Sequence, residues 1–391
     1  MAIGNSPNWL DHCKQLLTRR RESALFRERQ IVHPLDSTHV EIAGKRYSNF
    51  SANNYLGLTH HPRLLREINN AAEIGSAAAG LITGYTDLHA SAEATITKWK
   101  GVEAAVLLPS GYQANLAAVQ TLAAIGEAYP AGVRFLVDKL VHASLIDALR
   151  ATESQMRVFP HNGLGKLSRL LEEADPQQLQ VVLSESIFSM DGDAADLPGL
   201  AKLKQSHEFV LLLDEAHGSG VYGADGAGYA AELQLQNVVD VSIVTLSKAI
   251  GCVGGAVCCS AVFRDALVNF GRAYIYSTSV PPMIASCIAT AIDVMREEPR
   301  RQTRVRELAR HVRAELSAMN IPPGDSPIIP IILGSEEAAL RAAEKLKEEN
   351  LLVVAVRPPT VPAGGSRLRI TLSCDHSDEE IETFLRCAKI L

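Results

Sequence analysis

The sequence predicts a layered α/β fold built on a mainly parallel sheet. Three observations carry this. Over residues 103–255, short apolar runs alternate with stretches of helical period. The runs are continuously apolar rather than alternating, as strands covered on both faces require. At 391 residues the chain is long enough for a large core and two lobes.

In chain order, residues 8–30 read as an amphipathic helix. Trp9, Leu10, Cys13, Leu16 and Leu17 fall on one side and charges on the other. The run Thr18-Arg19-Arg20-Arg21-Glu22 suits either a solvated face or contact with an anionic substrate. Residues 40–50 read as a hairpin turning at Ala43-Gly44-Lys45. The candidate strands that follow are 104–108, 133–137, 155–159, 181–184, 210–213, 241–246 and 255–259. Candidate helices between them are 111–125, 143–152, 164–174 and 197–206. After Pro281-Pro282 a long helical pattern runs until Glu297-Glu298-Pro299 breaks it. The tail then reads as helix, strand (328–333), helix (336–349), two strands (351–356 and 367–372) and helix (377–390). This organisation divides the chain into an N-terminal helix and hairpin segment (1–50), a large domain (51–283) and a smaller α+β domain (284–391).

Composition is that of a soluble globular protein, with 47% hydrophobic and 21% charged residues. The formal charge of −6 leaves no basic footprint for nucleic acid. The start shows no basic segment followed by an apolar core, so no secretory signal is expected. No apolar run reaches membrane-spanning length. The seven cysteines are an odd number without a Cys-x-x-Cys pair. Free thiols in the reducing cytoplasm are expected, with no disulfide and no metal site.

In an open α/β sheet, ligands gather at the carboxyl ends of the strands. Two such ends carry chemistry here. The apolar run 209–213 ends in Asp214-Glu215-Ala216-His217-Gly218. The next run delivers Thr245-Leu246-Ser247-Lys248-Ala249-Ile250-Gly251, followed by Gly254-Gly255, where small residues let a bulky ligand approach the backbone. Lys248 and Asp214 are 34 residues apart, room for a crossover. An amine, a carboxylate and an imidazole at neighbouring strand ends form a set that pyridoxal 5′-phosphate (PLP) chemistry needs. The amine forms a Schiff base with the aldehyde, and the carboxylate keeps the pyridine nitrogen protonated.

Each residue also has an ordinary structural reading. A lysine after a strand is commonly a solvated loop residue, and an Asp at a strand end is often a helix N-cap. Leu-Leu-Leu-Asp-Glu-Ala-His also matches the metal-binding strand of a nucleic-acid motor. That reading requires Gly-x4-Gly-Lys-Ser/Thr. The Gly-Lys pairs here are Gly44-Lys45, followed by Arg46, and Gly165-Lys166, followed by Leu167, so neither fits.

Further segments fit around the lysine. Ser110-Gly111-Tyr112 opens a helix after a strand, where unpaired N–H groups can meet a phosphate. His142 lies just past another strand and could cover a cofactor ring or simply cap a helix. Ser184 to Asp193 is a polar strand end with a turn signal. Arg357-Pro358-Pro359-Thr360, Arg367 and Arg369 supply cations for carboxylates. Arg367 and Arg369 share a strand face, so spacing does not choose between them.

Together these segments resemble the α-oxoamine synthase family of fold-type I PLP-dependent transferases, whose fold is aspartate aminotransferase-like. The match runs from about Asn49 to Leu372. It rests on Asn49-Phe-Ser-Ala-Asn53-Asn-Tyr-Leu-Gly-Leu, Phe188-Ser-Met-Asp-Gly-Asp, Asp214-x-Ala-His217-Gly and Thr245-x-x-Lys248 in order. The resemblance implies a catalytic set of Lys248, His142, Asp214 and His217. Lys248 bonds the cofactor, Asp214 pairs with the pyridinium, His217 bonds the ring oxygen and His142 stacks on the ring. Gly111, Tyr112, Ser189 and Thr245 complete the cofactor contacts. Asn53 and Arg369 hold the amino-acid carboxylate, with Thr360 and Arg357 on the acyl side.

The implied reaction is a decarboxylating condensation of an amino acid with an acyl-CoA. Tyr276-Ser-Thr-Ser-x-Pro-Pro and Arg357-Pro-Pro-Thr-Val-Pro-Ala-Gly look most like members that join L-alanine to a pimeloyl thioester. A glycine-using sister and, further off, a PLP aminotransferase are the alternatives. The resemblance also implies a homodimer with active sites at the interface, where Ser277 and Thr278 approach the partner's phosphate. Two departures stand out. Ala77 to Ala79 replace small polar residues, and Phe26 stands where such members carry an acyl-CoA-contacting arginine, with Arg27 next to it.

Overall fold

The computed structural model describes residues 8–319 and 321–391; the start of the chain, where no signal pattern is read, lies outside the described residues. Strands β1 (His33–Pro34), β2 (His39–Ile42) and β3 (Lys45–Asn49) run antiparallel in sequence. The β2–β3 turn uses left-handed backbone at Ala43 (φ 51°) and Gly44 (φ 77°), which matches the twist of a two-residue hairpin.

The large sheet holds β4 (Ala104–Leu108), β5 (Val133–Asp138), β6 (Gln155–Phe159), β7 (Leu179–Glu185), β8 (Val210–Asp214), β9 (Val241–Thr245) and β10 (Gly255–Cys259). Their order is β4-β10-β9-β8-β7-β5-β6. The sheet is parallel except for β10, which runs antiparallel to both β4 and β9. The reversal has a simple cause: the β9–β10 link is too short for a crossover. That link is the loop that carries Lys248. Alternate side chains of β7 enter opposite layers. Val181 and Leu183 pack with helices Gly111–Gly126 and Ala143–Thr152; Val182 packs with Leu164–Glu172 and Leu197–Ser206.

In the tail, helices Pro282–Glu297 and Arg300–Glu315 precede β11 (Ile328–Gly334), helix Glu336–Glu348, β12 (Leu351–Leu352), β13 (Val354–Val356), β14 (Ser366–Thr371) and helix Asp378–Ala388. β14 lies between β11 and β13, antiparallel to both. The expected strand 351–356 is in fact split. β12 pairs parallel with β3, the backbone N–H of Val354 donates to Ser51 Oγ, and β13 then joins the other sheet. A division at 283/284 falls within the first turn of helix Pro282–Glu297. One continuous core joins Phe50, Ile96, Leu368 and Phe384, drawn from all three expected segments.

The N-terminal helix spans Trp9–Glu22, shorter than the expected 8–30. Ser23 Oγ donates back to the Arg19 carbonyl, and Ala24 turns the chain through a left-handed conformation (φ 53°). None of this helix's residues is buried. No helix among the described residues is long and apolar enough to cross a membrane.

Candidate active site

The carboxyl ends of the central parallel strands converge on one cavity of about 180 Å³. β7 ends in Glu185 and β8 in Asp214, which pair in register, and β9 ends in Thr245. Helix Gly111–Gly126 points its N-terminus into the same cavity. Ser110 caps that helix by accepting from the Gln113 N–H, at 3.1 Å. A Cβ on Gly111 would lie 2.1 Å from Thr245 Oγ1, so glycine is needed to keep this approach open. Gly255, on the reversed strand, faces the Gly111 backbone in the same way.

The cavity brings together seven residues singled out from sequence: Gly111, Tyr112, His142, Asp214, His217, Thr245 and Lys248. Lys248 Nζ lies 2.8 Å from His217 Nε2. His217 Nδ1 lies 2.7 Å from the Tyr55 hydroxyl, which donates to Asn53 Oδ1 at 3.0 Å. Arg369 Nη1 donates to the same Asn53 oxygen at 3.1 Å, and its Nε donates to the Ser189 carbonyl at 2.6 Å. A hydrogen-bond chain therefore runs from the lysine to the arginine. If Tyr55 donates to Asn53, His217 Nδ1 carries a proton and Nε2 accepts from Lys248.

The electrostatics fit that assignment. Burial, reinforced by the Lys248 charge, holds the His217 imidazole well below its ordinary pKa, so the ring is neutral. Burial lowers the Lys248 amine to about 8, against the pull of the Asp214 and Glu185 carboxyls. Burial raises the Tyr55 phenol to about 12, so it remains a donor.

Asp214 is fixed from two sides. Its Oδ1 accepts from the Ala216 N–H at 2.9 Å, and its Oδ2 from Asn115 Nδ2 at 2.8 Å. Asn115 also donates to Ser144 Oγ, 2.9 Å away, and that hydroxyl lies 2.7 Å from His142 Nδ1. His142 is at once the N-cap of helix Ala143–Thr152 and part of the cavity wall. The capping reading is therefore realised, and the ring also lines the cavity. Tyr112 is exposed at the mouth, and its hydroxyl donates to Asp147 Oδ2 at 2.8 Å.

Other expected site residues lie around the cavity rather than in its wall. Asn53 and Arg369 meet each other at the far end of the Lys248 chain. Arg367, on the same strand face, is taken up by Asp191 and the Gly365 carbonyl, which leaves Arg369 as the arginine next to Asn53. Ser189 presents its carbonyl to Arg369. Arg357 and Thr360 sit further out, on a loop against the N-terminal segment. Arg357 donates to the carbonyls of Ala24 and Phe26. Arg27 reaches Thr360 Oγ1 at 3.4 Å, and the Arg21 guanidinium lies 3.9 Å over the Phe26 ring.

Sequence reasoning missed Asn115, Ser144, Glu185 and Tyr55. Two carried a readable signal: Asn115 is one helical turn after Gly111, and Ser144 is two residues after His142. Glu185 is 2% exposed, and its Oε1 has no partner among the described residues. Burial, with the charge of Asp214 added, pushes its carboxyl well above the ordinary range. Asn115 Oδ1 is likewise buried without a partner.

Residues 45–387 match the model of the aminotransferase class I and II family. A putative 8-amino-7-oxononanoate synthase from Desulforudis audaxviator (strain MP104C) is 38% identical over 95% of this chain and 96% of its own length. The 8-amino-7-oxononanoate synthase of Cronobacter sakazakii (strain ATCC BAA-894) is also 38% identical, over 96% of this chain and 97% of that protein. The chain belongs to the α-oxoamine synthase family. Among solved structures, a serine palmitoyltransferase variant from S. paucimobilis with a bound PLP–myriocin aldimine superposes with a TM-score of 0.90. It is 25% identical, with 98% of this chain and 97% of that chain covered. The 8-amino-7-oxononanoate synthase of Francisella tularensis gives 0.73, also at 25% identity, with 88% and 98% covered. The fold is therefore the fold-type I PLP-dependent transferase fold, as the resemblance implies.

Proposed function

We propose that this α-oxoamine synthase uses PLP to condense L-alanine with a pimeloyl thioester. The products are 8-amino-7-oxononanoate, carbon dioxide and the free thiol, a step of biotin biosynthesis. The observation that carries the reading is the Lys248–His217–Tyr55–Asn53–Arg369 chain beside the buried Asp214.

The residues present fit PLP. Gly111 and Tyr112 offer backbone N–H groups for the phosphate, with Thr245 beside them. Lys248 supplies the amine that would hold the aldehyde carbon. Asp214, fixed by Asn115 and Ala216, would face the ring nitrogen. His217 would meet the ring oxygen, and His142 the open ring face. Buried Asn115 Oδ1 and Glu185 Oε1, both without partners, are polar atoms that a bound group can satisfy. When bound, the cofactor supplies an electron sink for the pair left at the substrate α-carbon.

The chain's own groups do the rest. Arg369 and Asn53 bind the amino-acid carboxylate and so orient the α-carbon. Lys248, lowered to about 8, can take and return the α-proton near neutral pH. Neutral His217 passes no net charge into the site while keeping its Nε2 toward the lysine.

The acyl side is Arg27, Thr360 and Arg357. Arg357 is committed to the carbonyls of Ala24 and Phe26, so Arg27 is the cation that would reach a distal carboxylate. This assignment also accommodates Phe26 at the position of the family's arginine.

The working unit is a homodimer. Ile74, Leu81, Ile82 and Tyr276 are large exposed apolar side chains. The Ala79–Thr278 bridge brings their two segments together, and Ser277 accepts from Gln113 beside the helix that faces the cavity. A cytoplasmic location is supported by seven unpaired cysteines.

The test is a panel of amino acids against acyl thioesters, read by product mass and carbon dioxide release. L-alanine with pimeloyl-CoA or its carrier-protein ester should dominate. Preference for glycine with a short acyl group would move the assignment to the glycine-using sister, and amino transfer without carbon dioxide would overturn it.

A further inference from the structure

His161 lies outside the cavity, just past the end of β6. Its ring is held between two carboxylates: Nδ1 is 3.1 Å from Asp138 Oδ1, and Nε2 is 2.6 Å from Asp193 Oδ2. A carboxylate accepts, so both ring nitrogens donate and the ring is an imidazolium. The ring of Phe188 packs edge-on against it, with centroids 4.3 Å apart. Asn162 repeats the bridge. Its N–H donates to Asp138 Oδ2 at 2.9 Å and its amide nitrogen to the Ala194 carbonyl at 3.0 Å.

The two carboxylates belong to different loops. Asp138 ends β5 and organises the link to His142, because its Oδ1 also accepts from the Leu140 N–H. Asp193 closes the turn that carries Ser189, since the Phe188 N–H donates to the Asp193 carbonyl. The opposite side of that turn is gripped by Arg367 through Asp191 and by Arg369 through the Ser189 carbonyl. Both loops border the cavity: His142 lines its wall, and the Ser189 turn begins three residues after Glu185, which lines it too. His161 thus spans the two loops that border the cavity.

We propose that His161 is a positioning residue for the cofactor site, a charged brace that sets the separation of the His142 loop from the Ser189 turn. The proposal rests on the PLP reading above. Burial alone would lower the ring's pKa, but the bonds and charges of Asp138 and Asp193 outweigh it and hold the ring at about 10. The brace is therefore closed at neutral pH. Losing either carboxylate bond lets the loops drift apart and loosens the groups that would hold the ring.

The experiment uses the holoenzyme. PLP dissociation constants and visible circular dichroism per bound cofactor are compared for wild type, His161→Gln, Asp193→Asn and the double variant, with melting temperature alongside. Each single variant should weaken PLP binding about tenfold, the scale of one charge-assisted hydrogen bond. Each should also reduce the dichroism per bound cofactor, which reports ring orientation. The double variant should be no worse than the worse single variant, because both remove the same contact. Asp193→Asn keeps the buried Asp138 arm and serves if His161→Gln does not fold. Variants that melt earlier but bind PLP with wild-type affinity and dichroism would overturn the brace and leave the PLP reading standing. A wild type that binds no PLP would overturn both.

Discussion

Asp214 shows how one residue's surroundings define its use. Fixed by Asn115 and the Ala216 N–H, it cannot turn away from the cavity. Asp214→Asn keeps the shape and removes the charge that would hold a ring nitrogen protonated. Exchange of the α-proton of bound L-alanine, followed by NMR, should slow by ~10²-fold or more, the scale for losing a strong electrostatic stabiliser. Cofactor affinity should fall far less, and an unchanged exchange rate would contradict the role. Lys248 makes a pH prediction. Only the neutral amine reacts with an aldehyde, and the folded amine sits at about 8 beside Asp214, Glu185, Arg369 and His217. The rate of PLP uptake by the apoprotein should climb with pH through about 8 and level off above it. A rate still climbing in the ordinary lysine range, about 10.4, would show that burial does not lower this amine.

At the scale of elements, the loop after β13 and the segment after the N-terminal helix are joined by two arginines doing different things. Arg357→Ala removes the donor to Ala24 and Phe26, so the segment loosens and the KM for every acyl-CoA should rise together. Arg27→Ala should raise the KM for pimeloyl-CoA about tenfold more than for an uncharged acyl-CoA of equal length, as loss of a charge-assisted bond predicts. Equal losses for both thioesters in Arg27→Ala would refute distal-carboxylate recognition. The sequence made most elements legible for a physical reason: β4, β5, β7, β8 and β9 are largely apolar on both faces, and their layers require it, whereas the edge strand β6 exposes Gln155, Arg157 and Val158. It did not reveal the reversal of β10, which depends on loop length rather than on pattern. Nor did it reveal the split of 351–356 between two sheets, because each half is apolar and only Ser51 and β3 decide where the chain changes partner. The amphipathic pattern of residues 8–30 ran past Ala24, whose left-handed turn alanine does not announce. At the site, residues next to glycine or at strand ends were visible. Tyr55 was not, because its link to His217 joins positions far apart in the chain.

For the whole molecule, the same carboxyl edge of the sheet collects the amine, the carboxylate and the imidazoles, and the tail sheet brings Arg369 to meet them. The segment with exposed Leu81 and Ile82 is bridged at Ala79 to Thr278, whose neighbour Ser277 accepts from Gln113 in the first turn of the helix that faces the cavity. Sedimentation of the holoenzyme should give a dimer, and Ile82→Asp should shift it toward monomer and reduce activity in parallel. A fully active monomer would contradict shared active sites. Every role assigned around the cavity depends on Lys248 being the residue that holds the cofactor. The direct measurement is borohydride reduction of the PLP-loaded protein, followed by proteolysis and mass spectrometry. The added mass should sit on the peptide containing Lys248, and Lys248→Ala should leave no peptide labelled. Labelling of another lysine, or undiminished labelling in Lys248→Ala, would contradict the site assignment and the function built on it.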